Sequence, residues 1–158
     1  MVVGIQPQKK ALHIALTDRE RDDLLRTEWT CRIGTVGPRG TPHVSPVWFV
    51  WDGESIWISS LIHSRRWSDI AANRTVSVCV DTGRDYYELR GVEFVGQAEF
   101  VGEKPRRGDP NPEIEKIEEA EWQKYGCGGR GNYDGRHAWI RVRPARQFTW
   151  DFSKITRS

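Results

Sequence analysis

Residues 41–73 read TPHVSPVWFVWDGESIWISSLIHSRRWSDIAAN. The run predicts a strand, a tight turn, a second strand and a short helix. Side chains alternate across a strand, so Thr41, His43, Ser45, Val47, Phe49 and Trp51 share one side. Asp52-Gly53 is a hairpin signal, because glycine accepts the positive φ that a primed turn demands. The second strand is expected over 54–61, with Ile56, Ile58 and Ser60 on one face. Ser64 then stands where a helix N-cap belongs, and Trp67, Ile70 and Ala71 follow at helical spacing.

Arg65 and Arg66 fall in the first turn of that helix. Cations there oppose the helix dipole at a cost of about 0.3–1 kcal/mol each. Two guanidiniums, unpaired backbone N–H groups and nearby hydroxyls make a receptor for a phosphate. The plainer alternative is a pair of solvated arginines on a surface helix.

Working outward, Thr17-Asp18-Arg19-Glu20 predicts a capping box opening a helix to about residue 28. Its apolar face is only Leu24 and Leu25, which places it outside the fold. Residues 30–36 predict a strand, and Pro38-Arg39-Gly40 turns it back into the strand at 41. Residues 75–81 predict another, with Val76, Val78 and Val80 on one face. Residues 86–101 alternate again, aiming Val92, Phe94, Ala98 and Phe100 one way, with Gly91 and Gly96 as bulge or bend sites. A loop over 104–112 leads to an acidic helix over 112–125, whose inward stripe is Ile114, Ile117 and Trp122. Residues 126–135 are glycine-rich and irregular, and 137–152 predict two strands hinged at Pro144. Residues 1–10 are expected to be loosely ordered. The chain is thus mostly β: about seven mainly antiparallel strands in a closed or nearly closed barrel, with about three short flanking helices. Its 158 residues form one domain.

Composition narrows the function. A formal net charge of +2 with 29% charged residues is not the balance of a nucleic-acid binder. No stretch approaches the 18 or so apolar residues of a membrane span, and no secretory h-region is visible, so a cytoplasmic protein is expected. Cys31 and Cys79 lie in apolar strand patterns as small buried hydrophobes, while Cys127 is expected at the surface. Three thiols without metal-like spacing fit a reducing compartment. His13, His43, His63 and His137 pair with no cysteine or carboxylate at metal-ligand spacing, so no metal site is expected. Neither a nucleophile elbow nor a Walker loop is present. The run Gly126-Cys127-Gly128-Gly129-Arg130-Gly131 lacks the following Lys-Ser/Thr and reads as a surface loop, a lid over a ligand being its functional version.

Trp48, Trp51 and Trp57 flank strands that carry Ser45, Ser59 and Ser60. Taken singly, each is packing. Together with Arg65 and Arg66 they outline a slot for a flat aromatic ligand with a phosphate tail. No general acid or base stands nearby, so the catalytic residues are unassigned. A redox cofactor that brings its own chemistry fits that absence.

These residues resemble a known family. Pro-Val-Trp-Phe in the first strand, Ile-Trp-Ile-Ser-Ser in the second and Ser-Arg-Arg at the helix start are similar to the pyridoxamine 5′-phosphate oxidase-like family, from about residue 18 to 152. Asn-Arg-Thr-Val-Ser-Val at 73–78 resembles the family's next strand, and Phe-Thr-Trp-Asp-Phe at 148–152 its closing strand. The resemblance implies an FMN-binding split barrel, a homodimer with the cofactor between subunits, and an oxidoreductase acting on a small-molecule substrate. The backbone of Pro46, Val47 and Trp48 would lie along the flavin. Ser59 and Ser60 match positions that hydrogen-bond the cofactor, and Ser64, Arg65 and Arg66 match a Ser-Arg-Lys phosphate site. Arg66 stands where that motif has Lys. Trp139, or Trp150 from the partner chain, would bound the substrate space. The family's Arg-x-Val-Leu-Leu-Lys strand is replaced by residues 43–48 here and its pyridoxal-contacting C-terminal segment is not recognisable, which argues against pyridoxamine phosphate as substrate. The run from Thr41 to Trp48 is also similar to a branch that uses the 5-deazaflavin coenzyme F420. A non-enzymatic flavin or haem store is the alternative, with His43 or His137 as an axial ligand; a barrel that has lost its cofactor is a third.

Overall fold

The computed structural model describes residues 4–127 and 133–155. Among them, seven strands form a single antiparallel sheet in the order β2-β1-β5-β6-β7-β4-β3. Helix α1 (Asp18–Thr27) leads into β1 (Thr30–Val36), β2 (Pro42–Trp48), β3 (Val50–Trp51) and β4 (Ile56–Leu61). Helix α2 (Arg65–Ala72) follows, then β5 (Thr75–Thr82), β6 (Arg90–Val101), α3 (Pro112–Tyr125) and β7 (His137–Asp151).

The run 41–51 is continuous in sequence yet serves both ends of the sheet. β2 pairs with β1, and β3, one residue later, pairs with β4. The residue between them, Phe49, has its N–H and C=O both engaged by the Tyr125 hydroxyl, at 2.9 and 2.7 Å. The sheet therefore curls until this run joins its edges. No ladder forms between β2 and β4, so the barrel stays split.

The Asp52-Gly53 turn forms as expected, with Gly53 at φ 102°. Asp52 Oδ1 accepts from the amides of Glu54 and Ser55 at 2.8 and 2.7 Å, so the second strand starts at Ile56 rather than 54. Thr17 and Glu20 form the capping box of α1. Leu24 and Leu25 are fully enclosed, so this thin stripe is enough to seat the helix on the barrel. Asn111 caps α3, with Pro112 in its first turn.

The barrel interior holds Ile33, Ile58, Val78, Phe94, Ile140 and their neighbours. A second cluster lies outside the sheet, where Ile114 and Ile117 of α3 cover Val50, Trp57 and Trp139. β4 is consequently buried on both faces.

Several expectations are corrected. Residues 137–151 make one strand, not two, because the irregularity at Pro144 is a bulge. Gly96 pairs with Pro144 and Val95 with Arg146, so β7 carries an extra residue there and the missing proline N–H is tolerated. Residues 86–88 form a single 3₁₀ turn, and the strand begins at Arg90. Trp122 faces solvent instead of the core, because Ile114 and Ile117 already fill the seam. Cys79 is half-buried rather than buried.

Gly91 is not a bulge; Trp150 lies over it. At Gly96 an added Cβ would sit 2.1 Å from the Arg143 carbonyl oxygen. Neither backbone can yield without breaking the ladder. Gly96→Ala is therefore expected to destabilise the protein by about 1–3 kcal/mol, read as a lower urea midpoint with unchanged slope.

Candidate functional site

The two adjacent arginines of α2 go separate ways. Arg66 turns into the barrel and is only 8% exposed. Its Nε and Nη2 donate to Ser60 Oγ at 3.2 and 3.0 Å, and its Nη1 donates to Ser45 Oγ at 2.7 Å. These hydroxyls are neutral, and among the described residues no carboxylate lies within ion-pair distance of Arg66. Burial lowers its pKa, the direction expected of a cation short of counter-charge.

Arg65 stays half exposed, with Nε 3.9 Å from Asp69 Oδ2. It lines a cavity of about 370 Å³ with Arg39 and Thr41. Asp69 itself is buried, accepts the Thr35 hydroxyl proton at 2.8 Å, and has His43 Nδ1 at 3.9 Å. Ser64 caps the helix as expected: its Oγ accepts from Trp67 N at 3.2 Å and donates to Leu61 O at 2.8 Å.

The three tryptophans of the proposed slot also separate. Trp51 belongs to the barrel core, stacked on Phe94 with its indole N–H on Asp22 at 3.1 Å. Trp57 is enclosed beneath α3, its N–H on Asp52 at 2.6 Å. Both are packing residues with satisfied donors. Trp48 alone remains at the surface, 43% exposed, stacked on Tyr125 at 4.3 Å between ring centroids. Val44 and Pro46 are exposed beside it on the outer face of β2, which is an edge of the sheet. Val47 faces inward against the core.

A cleft of about 290 Å³ opens next to Trp48, and Ser59, Trp139, Arg106, Glu118 and His137 line it. Three of the expected site residues, Trp48, Ser59 and Trp139, thus meet in one chain. Trp150 does not join them. It lies eleven residues beyond Trp139 on β7, about 35 Å away at the usual rise per residue.

Sequence reasoning missed several residues at this site. Tyr125 ends α3, and its hydroxyl also lies 2.8 Å from Trp29 O, tying three segments to the base of Trp48. Burial pushes its pKa up. Lys124 reaches the carbonyls of Leu25 and Phe49 at 3.1 and 3.2 Å, and burial lowers its pKa to about 8. Arg106 and Glu118 form a buried pair at 2.8 Å. Asp134 Oδ2 lies 2.6 Å from His137 Nδ1. Only this last contact had a local signal, an Asp three residues ahead of a His. Cys31 sits behind the arginine, and burial lifts its thiol to about 12, so it is no nucleophile. Cys127 is exposed as expected; residues 128–132 of its loop lie outside the described residues. Among the described residues no group of three or more His, Cys, Asp or Glu side chains is placed to hold a metal ion, and no helix is long and apolar enough to cross a membrane.

The family model described as pyridoxamine 5′-phosphate oxidase matches residues 17–151. The chain belongs to this family. Its split barrel has solved counterparts. A conserved hypothetical protein of Mycobacterium tuberculosis is 25% identical, with 96% of each chain covered and a TM-score of 0.77. An F420 reductase is also 25% identical, covering 80% of this chain and 94% of its own at a TM-score of 0.60. The haem-storage protein of Vibrio cholerae, 17% identical over 84% of this chain and 93% of that one, shares the fold at a TM-score of 0.68. No curated protein matches the chain. Within the oxidase family the fold alone does not select a chemistry, so the reading must come from the site.

Proposed function

We propose that this protein is an oxidoreductase that binds FMN or the 5-deazaflavin F420 and passes a hydride between that cofactor and a small organic molecule. The observation that carries the reading is the buried Arg66 guanidinium, bonded among the described residues to Ser45 and Ser60 alone, on the motif that resembles the family's phosphate site. A cation held in the protein without a carboxylate is stabilised by an anion that arrives with a ligand. Arg65 beside it is reachable from solvent and supplies direct contacts, while Ser64 shapes the helix start.

The exposed side of Pro46 and Trp48 is the platform for the ring, with Val47 anchoring that strand to the core and Ser59 lining the cleft beside Trp48, while Ser60 is enclosed and holds Arg66. When bound, the ring supplies the two-electron chemistry. The residues bind it, orient it and keep water from one side. A homodimer would cover the exposed edge at β2 and bring Trp150 of the second subunit toward Trp48. Pyridoxamine phosphate is not the proposed substrate.

The test is a spectrum of the purified protein followed by fluorescence titration with FMN and with F420. Saturable binding of one of them is expected, weakened about tenfold or more in Arg65→Ala through loss of a charge-assisted contact. Unchanged affinity in that variant removes the phosphate assignment. A Soret band on haem addition with no response to either flavin removes the oxidoreductase reading.

A further inference from the structure

We infer that Asp69 is a positioning residue that holds Arg65 in reserve: its carboxylate competes with an incoming anion for that guanidinium and so sets how tightly the anchor at the start of α2 binds. This rests on the phosphate reading above. Asp69 follows Arg65 by four residues, about one helical turn, so the two side chains share a face of α2. Arg65 Nε stands 3.9 Å from Asp69 Oδ2. That separation is too long for a hydrogen bond and short enough for charge attraction. Arg65 is drawn to the carboxylate without being bonded to it, and a better acceptor can take it away.

The carboxylate cannot follow. The Asp69 side chain is 6% exposed, against 53% for Arg65. Thr35 Oγ1, on β1, donates to Asp69 Oδ2 at 2.8 Å. The backbone of the β1–β2 hairpin closes on the other oxygen, since a Cβ added at Gly37 would stand 2.9 Å from Asp69 Oδ1. Gly37 is fixed in turn, its N–H donating to Thr41 O at 3.0 Å. A strut between α2 and the hairpin has no need of the charge. Thr35 asks only for an acceptor, and a carboxamide oxygen supplies one.

The surrounding charges point the same way. His43 Nδ1, on β2, lies 3.9 Å from Asp69 Oδ2 and is buried with no hydrogen-bond partner among the described residues. Arg39, on the hairpin turn, and Arg65 line the cavity of about 370 Å³ with Asp69. The described lining holds no second carboxylate, so Asp69 is its sole source of negative charge. The two adjacent arginines are therefore prepared differently. Arg66 has only the hydroxyls of Ser45 and Ser60 among the described residues, whereas Arg65 has an internal counter-charge. An anion that bridges them gains the full attraction of Arg66 but, at Arg65, only the difference between itself and Asp69. No covalent bond changes; a guanidinium exchanges one anionic partner for another.

The experiment compares wild type, Asp69→Asn, Thr35→Val, Arg65→Ala and the double variant Arg65→Ala with Asp69→Asn. FMN and F420 are titrated by fluorescence, and inorganic phosphate by competition with the one that binds. Asp69→Asn is expected to bind cofactor and phosphate about three- to fivefold more tightly than wild type. The gain is expected to vanish when Arg65 is absent, because the competitor then has nothing to hold. Thr35→Val loosens the same helix contact but keeps the charge, and is expected to stay within about twofold of wild type. In wild type, which needs no variant to fold, the ¹³C resonance of the Asp69 carboxyl is expected to move as inorganic phosphate is added. Unchanged or weaker binding by Asp69→Asn overturns the inference, as does a carboxyl resonance that stays in place at saturating phosphate. An equal gain in Thr35→Val, or a gain that persists without Arg65, also overturns it, by making Asp69 a strut or a diffuse charge. Binding of none of the three probes by wild type overturns instead the phosphate reading on which the inference rests.

Discussion

Arg66→Met is expected to leave the protein as stable as wild type, within about 1 kcal/mol, or more stable, while cofactor affinity falls about 10- to 100-fold. The two effects separate because, among the described residues, the guanidinium is bonded to neutral hydroxyls alone. In the cofactor-free chain its desolvation is only partly offset by three hydrogen bonds, and a methionine of similar length fills the space with no charge to bury. Ser60 Oγ keeps a contact to Leu61 O, at 3.4 Å. With a phosphate present the balance reverses, since the cation then has a counter-charge in a poorly solvated setting. Urea melts and fluorescence titrations on the same samples check both halves. A large loss of stability with unchanged affinity would make Arg66 a structural strut and Arg65 the sole anion contact.

The opposite balance is expected at Arg106. Arg106→Ala should lower stability by about 3–5 kcal/mol, because it strands a buried carboxylate. Glu118 is 2% exposed and receives Arg106 Nε at 2.8 Å. The same guanidinium bonds Glu103 at 2.6 Å and Asp109 O at 2.5 Å. Glu103 in turn accepts the amides of Arg107, Gly108 and Asp109, so the residue pins the whole connection from β6 to α3. Paired replacement, Arg106→Met with Glu118→Leu, should recover much of the loss, since neither charge is then left alone. Chemical denaturation of the three variants decides it. A single-variant loss below about 1 kcal/mol would mean that Glu118 takes up a proton or water at little cost.

These two arginines show what could be read before folding was considered. The Ser-Arg-Arg run at 64–66 was visible because its residues are adjacent and their helix has local start signals. Arg106 and Glu118 were not, because a loop arginine and one glutamate among several on an acidic helix look like solvated charges until the two segments are placed together. The same holds for Tyr125, whose three backbone partners come from two segments 76 and 96 residues away in sequence.

By itself the sequence determined the elements whose causes are local: the Asp52-Gly53 turn, the caps at Thr17 and Ser64, the alternation along the strands, the family match and the Ser-Arg-Arg run that carries the resemblance. Only the tertiary structure decided which side chains are available for chemistry. Trp48, Trp51 and Trp57 are equally apolar and sit on neighbouring strands. α3 covers Trp57, the barrel encloses Trp51, and Trp48, backed only on one side by Tyr125 among the described residues, stays 43% exposed. Arg65 and Arg66 differ by one position, yet a helix turns about 100° per residue, so one meets solvent and the other the barrel. Exposure belongs to the packing of whole elements, and no local pattern carries it.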